Sequence, residues 1–219
     1  GYGAIQTVAE RGMSALALLD YTSVFIFALT GALAASRAQL DIIGFAFLAS
    51  LTAVGGGTLR DLLLDRNPVF WIAQPEHIAI ACVAAGLIFF TAHLFESRAR
   101  LLLWLDALAL GVAVAAGVGV AMSLGHGAPV VLLMGVMTGT FGGLMRDIVA
   151  NEVPMVLRQG ELYVSAAFGG AVVALLSANV SGAPLLVLGS CVLSTFVLRA
   201  GSIAFGWRLP VYRARPPKL

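Results

Sequence analysis

The chain contains one segment twice. When the sequence is shifted by 86 residues and aligned with itself without gaps, its few polar and special residues coincide. In both copies an Arg-Asp pair follows a glycine run and precedes a proline, in otherwise apolar surroundings, and chance rarely gives that combination. Any fold for this chain must therefore contain the same unit twice. The coinciding residues are Asp20 and Asp106, Gly31 and Gly117, Thr52 and Thr138, Gly56-Gly57 and Gly142-Gly143, Arg60-Asp61 and Arg146-Asp147, and Pro68 and Pro154.

The composition is that of a membrane protein. Hydrophobic residues make up 60% of the 219 residues and charged residues only 11%, whereas a soluble domain carries about 25% charged residues. The net charge of +2 is small, so nucleic acid is not an expected partner. Apolar runs of about 20 residues, each long enough to cross a bilayer, recur along the chain. We therefore expect one transmembrane domain over residues 1–219.

The apolar runs predict an all-α integral membrane protein with seven transmembrane helices. Repeat one (about 17–95) and repeat two (about 101–180) hold three helices each, and a seventh helix (about 184–205) is extra. After three crossings the chain is on the opposite side of the membrane, so the two repeats must be inverted relative to each other, as in many transporters. The predicted spans are 17–36, 41–64, 76–95, 101–123, 128–150, 161–180 and 184–205.

The basic residues between the spans predict the orientation. The side richer in Lys and Arg faces the cytoplasm in most membrane proteins. This places the N-terminus outside and the C-terminus in the cytoplasm. The basic residues of the richer side are Arg37, Arg98, Arg100, Arg158, Arg208, Arg213, Arg215 and Lys218, and those of the other side are Arg11 and Arg66.

The glycine runs lie inside the second and fifth predicted helices. Gly55, Gly56 and Gly57 are consecutive, and Gly142 and Gly143 are their equivalents in repeat two. Each glycine weakens a helix by about 1 kcal/mol relative to alanine, and three in a row exceed what one packing contact needs. We expect a kinked or broken helix at these positions. Close packing of small residues is the alternative interpretation.

The duplicated Arg-Asp pairs place charge within apolar spans. Arg60 precedes Asp61, and Arg146 precedes Asp147. Adjacent residues on a helix point about 100° apart, so we expect neither arginine to be neutralised by the aspartate that follows it. Charged groups at membrane depth are costly and face the interior of the helix bundle. Each arginine therefore needs a partner on another helix.

The repeat itself suggests these partners. Asp20 begins the first helix on the side where the second helix ends with Arg60, and Asp106 begins the fourth helix where the fifth ends with Arg146. We predict the ion pairs Asp20–Arg60 and Asp106–Arg146 at mirrored depths. Two roles are open for these charges: they line a permeation path, or they only tie helix ends together.

Thr52 and Thr138 lie four residues, about one helical turn, before Gly56 and Gly142. Their side chains are therefore on a similar face of the helix to these glycines. Two interpretations are open for the hydroxyl groups. They line a path through the protein, or they donate hydrogen bonds back to their own helix backbone.

The sequence gives no signature of an enzyme. It has no nucleotide-binding loop, no nucleophile with a base in sequence context and no paired catalytic carboxylates. The histidines His77, His93 and His126 do not have the spacing of metal ligands. We therefore expect no catalytic activity, no resident cofactor and no metal site.

The segments 52–68 and 138–154, which contain the repeated Gly-Gly-x-x-Arg-Asp pattern, resemble the duplicated signature of the prokaryotic TRIC family of cation channels. The resemblance covers about residues 17–205. It implies a multi-pass protein of the prokaryotic inner (plasma) membrane, a homotrimer surrounded by membrane lipid with one pore in each subunit. The permeant ions would be monovalent cations, K⁺ foremost and also Na⁺. In that family the second and fifth helices are kinked at their glycines and shape the pore. Carried over by motif, the kinks would be Gly55, Gly56, Gly57, Gly142 and Gly143, with Arg60, Asp61, Arg146 and Asp147 nearby.

A secondary transporter of a small amino acid such as glycine is the alternative function. Inverted repeats, broken helices and buried charges are also features of carriers. An exposed arginine can hold a substrate carboxylate through two parallel hydrogen bonds. Both functions remain open at the level of sequence, because a channel and a carrier differ in transport rate.

Overall fold

The computed structural model describes residues 2–95 and 97–212, with side chains from residue 15 onward. Arg213, Arg215, Lys218 and the side chain of Arg11, used above for the orientation, lie outside this part. The described residues form eight α-helices and two short 3₁₀ turns, at Ala92–Leu94 and Met155–Leu157. The helices are α1 (Tyr2–Arg37), α2 (Ile42–Leu63), α3 (Phe70–Ala73), α4 (Glu76–Thr91), α5 (Arg98–Ser123), α6 (Ala128–Val149), α7 (Val164–Val180) and α8 (Pro184–Phe205).

The all-α integral membrane fold with seven long helices is confirmed, and the predicted boundaries need three corrections. Helix α1 begins at Tyr2, before the predicted start, and its apolar part is Ala15–Arg37. Helix α4 ends earlier than predicted, and the single turn of α3 was not predicted. Within the described part of the chain, six helical segments are long and apolar enough to cross a membrane, and α4 is one of them when the 3₁₀ turn that follows it is included (Glu76–Leu94, 19 residues). Helix α7, with 17 residues, is shorter.

Local sequence signals set the helix ends. The Asp41 side chain accepts a hydrogen bond of 2.8 Å from the Gly44 amide and caps α2, as acidic and small polar residues commonly do at this position. Ser97 caps α5 in the same way. A proline lies in the first turn of both α6 and α8, where the missing N–H costs nothing. Gly206 ends α8 in the left-handed conformation (φ 69°), which glycine adopts without steric cost.

Two reciprocal contacts show that the repeats are inverted. A Cβ atom added to Gly56 of α2 would overlap the carbonyl oxygen of Thr138 in α6. A Cβ added to Gly142 of α6 would overlap the carbonyl oxygen of Thr52 in α2. The later residue of each helix thus meets the earlier residue of the other, so α2 and α6 cross antiparallel, as an inverted repeat requires.

The glycine runs do not break their helices. Helix α2 is continuous through Gly55–Gly57, and α6 is continuous through Gly142–Gly143, so the predicted break is wrong. The physical reason is close packing. Gly56 and Gly142 face a backbone carbonyl of the opposite helix, and Gly57 faces the ring of Phe70, so no side chain fits. A bend within the unbroken helices stays a prediction.

The fourth long helix, α5, is the centre of the bundle. Every residue from 109 to 121 is buried, and most are alanine, glycine or valine. These small side chains let α1, α6 and α8 approach α5 closely. For example, a Cβ on Gly111 would lie 3.0 Å from the carbonyl oxygen of Val192 in α8. The extra helix of the sequence therefore covers the central helix and also packs on α7.

Candidate functional site

The first charged cluster lies between α1 and α2 and consists of Asp20, Arg60, Asp61 and Arg66. The Arg60 guanidinium donates to Asp20 Oδ1 through Nη1 and to Asp61 Oδ1 through Nε, both at 2.8 Å. Arg66 Nη1 also donates to Asp61 Oδ1 at 2.8 Å. The Arg60 guanidinium carbon lies 5.4 Å from the centre of the Phe70 ring, within the range of a cation–π contact. Two carboxylates face two guanidinium groups, so this cluster is electrically neutral.

The second charged cluster lies between α5 and α6 and consists of Asp106, Arg146 and Asp147. Arg146 Nη1 donates to Asp106 Oδ1 at 2.7 Å, and its Nε and Nη2 donate to Asp147 Oδ1 at 2.9 and 2.8 Å. Arg146 Nη1 also donates to Thr30 Oγ1 of α1 at 3.0 Å. This arginine therefore connects repeat two to repeat one. Asp106 and Arg146 are fully buried, and Asp147 is almost fully buried.

The second aspartate of each pair also holds the loop that follows its helix. Asp61 Oδ2 accepts a 2.8 Å hydrogen bond from the Phe70 amide, and Asp147 Oδ2 accepts one of the same length from the Met155 amide. The loop amides need such a partner because they lie away from water. Part of the duplicated motif thus has a structural role.

The structure confirms the predicted pairing between helices and corrects one expectation. The ion pairs Asp20–Arg60 and Asp106–Arg146 are both present, at 2.8 and 2.7 Å. However, each arginine also bonds the aspartate that follows it in sequence. Side-chain directions on a helix diverge at Cβ, but the long arginine side chain folds back to its neighbour.

A small cavity lies between α1, α2, α5 and α6 beside the first cluster. Its volume is about 10 Å³, which gives room for about one water molecule. Thr138 lines it, and the Thr138 hydroxyl has no hydrogen-bond partner among the described residues. The Thr52 hydroxyl, in contrast, donates to the Leu48 carbonyl at 2.6 Å. Bonding back to the helix backbone is thus confirmed for Thr52, and a path-lining role stays a prediction. The lining residues are Asp20, Ser23, Phe27, Ala53, Gly56, Gly57, Phe70, Ala113 and Thr138.

Side chains also crowd the corresponding glycines of repeat two. A Cβ on Gly139 would lie 3.2 Å from Leu110 Cδ1. A Cβ on Gly143 would lie 2.8 Å from the Tyr163 hydroxyl oxygen. Leu110 and Tyr163 thus lie against Gly139 and Gly143, as the Phe70 ring lies against Gly57 in repeat one.

Sequence reasoning missed Arg199 and the residues around it. Arg199 of α8 is fully buried, donates to Glu161 Oε2 at 2.9 Å, and lies over the Tyr163 ring with 5.1 Å between guanidinium carbon and ring centre. The sequence does contain a signal for this residue, because Arg199 is the only charged residue in the sequence of α8. Placing a lone charge inside an apolar span costs free energy, as it does for the duplicated Arg-Asp pairs.

The comparisons with known proteins agree with the duplication. A family model described as glycine transporter matches residues 17–93 and again 103–179, two copies separated by the same 86 residues. A crystal structure of the TRIC trimeric intracellular cation channel orthologue from Rhodobacter sphaeroides is 41% identical, with a TM-score of 0.84 over 87% of this chain and 98% of that one. The chain belongs to the glycine transporter family and is a homologue of the prokaryotic TRIC channels. The resemblance predicted from the sequence is confirmed.

Further relatives place the chain among membrane proteins. The UPF0126 inner membrane protein YadS of Escherichia coli is 36% identical over 89% of this chain and 94% of its own length. A structure that concerns conductance through TRIC cation channels is 29% identical, with a TM-score of 0.80 over 91% of this chain and 98% of that one. This family consists of channels and membrane proteins, not enzymes.

Proposed function

We propose that this protein is a monovalent cation channel that passes K⁺ foremost and also Na⁺. It forms a homotrimer in a bacterial inner membrane, with the N-terminus outside and one pore in each subunit. The observation that carries the proposal is the similarity to the Rhodobacter sphaeroides TRIC channel orthologue, 41% identical over nearly its whole length. The arrangement of polar groups inside each subunit supports it.

The proposed pore runs between α1, α2, α5 and α6. It begins at the cavity lined by Asp20 and Thr138, passes the contact between Gly56 and the Thr138 carbonyl, and reaches the second cluster. With room for about one water and two helix backbones in contact, this conformation is closed. Opening requires α2 and α6 to separate, and a bend at their glycines is the motion we propose.

The arginines in such a path raise a question of electrostatics. Two unit positive charges 4 Å apart repel by about 4 kcal/mol at an effective dielectric constant near 20. In both clusters, however, the arginine is bonded to two carboxylates, which offset its positive charge. We therefore assign Arg60 and Arg146 to holding Asp20 and Asp106 at the pore wall rather than to blocking it.

A planar bilayer measurement tests the proposal. Purified protein is studied across a K⁺ gradient with no amino acid present. We expect discrete current steps that reverse near the K⁺ equilibrium potential. A silent bilayer, from protein that takes up glycine in vesicles, would contradict the channel and establish a carrier.

Glycine transport is the second candidate function. The matching family model carries that description. In addition, Arg60 Nη2 is buried and has no hydrogen-bond partner within the described structure, so this nitrogen would bind a substrate carboxylate once the helices separate to admit one. Uptake of radiolabelled glycine into vesicles that hold the same protein tests this function. Uptake that Arg60→Lys abolishes would support it, and no uptake above empty vesicles would exclude it.

A further inference from the structure

One aromatic ring lies at the mouth of the cavity beside the first cluster. The lining residues that keep most contact with the surroundings are Asp20, Ser23, Gly57 and Phe70; the Asp20 side chain is 17% exposed and Phe70 is 8% exposed. Further in, Thr138 is 4% exposed. We therefore place the mouth of the cavity at the first four residues. Phe70 has the largest side chain among them, so the position of its ring determines how wide the mouth is.

The Phe70 ring covers two parts of the duplicated motif at the same time. A Cβ atom on Gly57 would lie 2.5 Å from Phe70 Cε1, so the ring occupies space that only a glycine leaves. The Arg60 guanidinium carbon lies 5.4 Å from the centre of the same ring. The His77 ring meets it edge to face, with 4.8 Å between the ring centres. Aromatic pairs prefer this geometry, so the ring has a defined place over α2.

The hydrogen bonds of α3 fix its backbone but leave the Phe70 ring without such an anchor. Asp61 Oδ2 accepts a hydrogen bond from the Phe70 amide at 2.8 Å. Trp71 Nε1 donates to Thr58 Oγ1 of α2 at 2.9 Å. Both bonds tie α3 to α2, and neither involves the Phe70 side chain. The ring can therefore rotate about its own side-chain bonds while the loop stays in place.

The second repeat covers its arginine with a different side chain. Asp147 holds the Met155 amide as Asp61 holds the Phe70 amide. Met155 Sδ accepts a hydrogen bond from Arg146 Nη2 at 3.7 Å. Both loops thus place an apolar side chain on the arginine of their motif. A thioether side chain is flexible, whereas a phenyl ring is rigid and flat, and the rigid ring is the one that lines the cavity.

We propose that Phe70 is the lid of the path at the first cluster, an inference that rests on the proposed path between α1, α2, α5 and α6. In this conformation the ring narrows the mouth between Asp20 and Gly57. Rotation of the ring away from Gly57 opens the mouth and gives an ion or a substrate access to Thr138. The lid acts in series with the crossing of α2 and α6, because the Thr138 carbonyl forms part of that crossing. Removal of the ring changes no charge of the first cluster.

Thiol labelling tests the lid without any current measurement. The two native cysteines are replaced (Cys82→Ser and Cys191→Ala), and Thr138→Cys places one thiol on the cavity lining. A small, positively charged methanethiosulfonate reagent is added to the detergent-solubilised protein, and mass spectrometry of the intact chain follows labelling over time. We expect Phe70→Ala to raise the labelling rate of Thr138→Cys at least several-fold. An unchanged rate would overturn the proposal.

Two controls distinguish a lid from a general loosening of the bundle. Phe45 is another buried ring of α2 that packs edge to face on Phe89 and is not one of the residues that line the cavity. Phe45→Ala should leave the labelling rate of Thr138→Cys unchanged. A thiol at Thr52→Cys, a buried position away from the cavity lining, should react equally slowly with and without the Phe70 ring. Equal acceleration by Phe45→Ala and Phe70→Ala would overturn the lid.

A milder variant and the bilayer measurement complete the test. If Phe70→Ala does not fold, Phe70→Leu keeps an apolar side chain of smaller size and should raise the labelling rate by a smaller factor; no rise would again contradict the lid. Faster labelling together with a silent bilayer would retain the lid and remove the channel. Potassium current steps together with a labelling rate that ignores Phe70→Ala would retain the channel and remove the lid.

Discussion

The two repeats share a frame of one arginine held by two aspartates, and they differ in what surrounds it. In repeat one the Asp20 side chain is 17% exposed, Arg66 joins the cluster, and a cavity lies beside it. In repeat two the Asp106 side chain is fully buried, and no second arginine joins the cluster within the described residues. The first cluster is thus partly open to its surroundings, and the second is closed.

The largest expected difference between the clusters is in stability. Arg146→Ala leaves two buried carboxyl groups without a cation, and breaking a buried ion pair costs about 3–5 kcal/mol. Arg60→Ala should cost less, because Asp20 is partly exposed and Asp61 keeps Arg66. Thermal unfolding in detergent, followed by the fraction that remains folded on a sizing column, measures both. Equal losses for the two variants would contradict the distinction between an open and a closed cluster.

A smaller loss of stability is expected for substitutions at the crossing of α2 and α6, where the repeats meet. In both Gly56→Ala and Gly142→Ala, a methyl group is forced against a backbone carbonyl of the opposite helix. Overpacking of this kind costs about 1–3 kcal/mol, and the pseudo-symmetry predicts similar losses for the two variants.

Gly86→Ala in α4 is the matched control, because a Cβ there meets nothing within 4 Å. It should stabilise its helix by up to about 1 kcal/mol. A loss at only one of the two crossing glycines would show that the repeats do not contact each other equally.

The third prediction concerns the two threonines under the proposed channel function. Thr138→Val removes the unpartnered hydroxyl of a residue that lines the cavity, and a neutral hydrogen-bonding group contributes about 0.5–1.5 kcal/mol. Single-channel K⁺ conductance should therefore fall several-fold. Thr52→Val removes only a bond to the Leu48 carbonyl of its own helix and should leave conductance unchanged. A larger loss of conductance in Thr52→Val than in Thr138→Val would indicate that the path runs beside the second cluster instead.

The smallest loss of stability is expected for a substitution at Arg66, at the edge of the first cluster. Because 37% of the Arg66 side chain is exposed, Arg66→Ala should cost less than about 1 kcal/mol of stability. It removes a positive charge near the proposed entrance, so cation conductance should rise at low ionic strength. The rise should vanish near 1 M salt, where the Debye length is about 3 Å. A rise that persists at high salt would indicate a change of pore shape instead.

The sequence was sufficient for the frame of the molecule. Apolar run lengths determine the helices, and the alignment of the chain with itself gives the inverted arrangement. Because an unpaired charge in a membrane is costly, each arginine needs a partner. The repeat places Asp20 at the depth of Arg60 and Asp106 at the depth of Arg146. Each of these inferences depends on periodicity or burial cost, which are properties of the chain alone.

The remaining features depend on what lies opposite a residue. A glycine run reads as a break until the neighbouring backbone is known, and here the Thr52 and Thr138 carbonyls occupy the space beside Gly142 and Gly56. Likewise, the direction of the Cα–Cβ bond on a helix does not reveal that a long arginine side chain can fold back and bond the aspartate that follows it in sequence. The loop amides held by the second aspartates lie eight or nine residues further on, and no local pattern marks them.

The crossing of α2 and α6 has a consequence for the ancestry of the chain. A two-fold interface uses the same surface of both partners, and here Gly56 receives Thr138 as Gly142 receives Thr52. In a three-helix precursor, one glycine and one threonine would have formed both contacts between two identical copies. Those copies had to enter the membrane in opposite directions, so such a precursor needed a topology that its basic residues did not fix. In a single chain that holds both halves this requirement is absent, and each half can carry basic residues of its own.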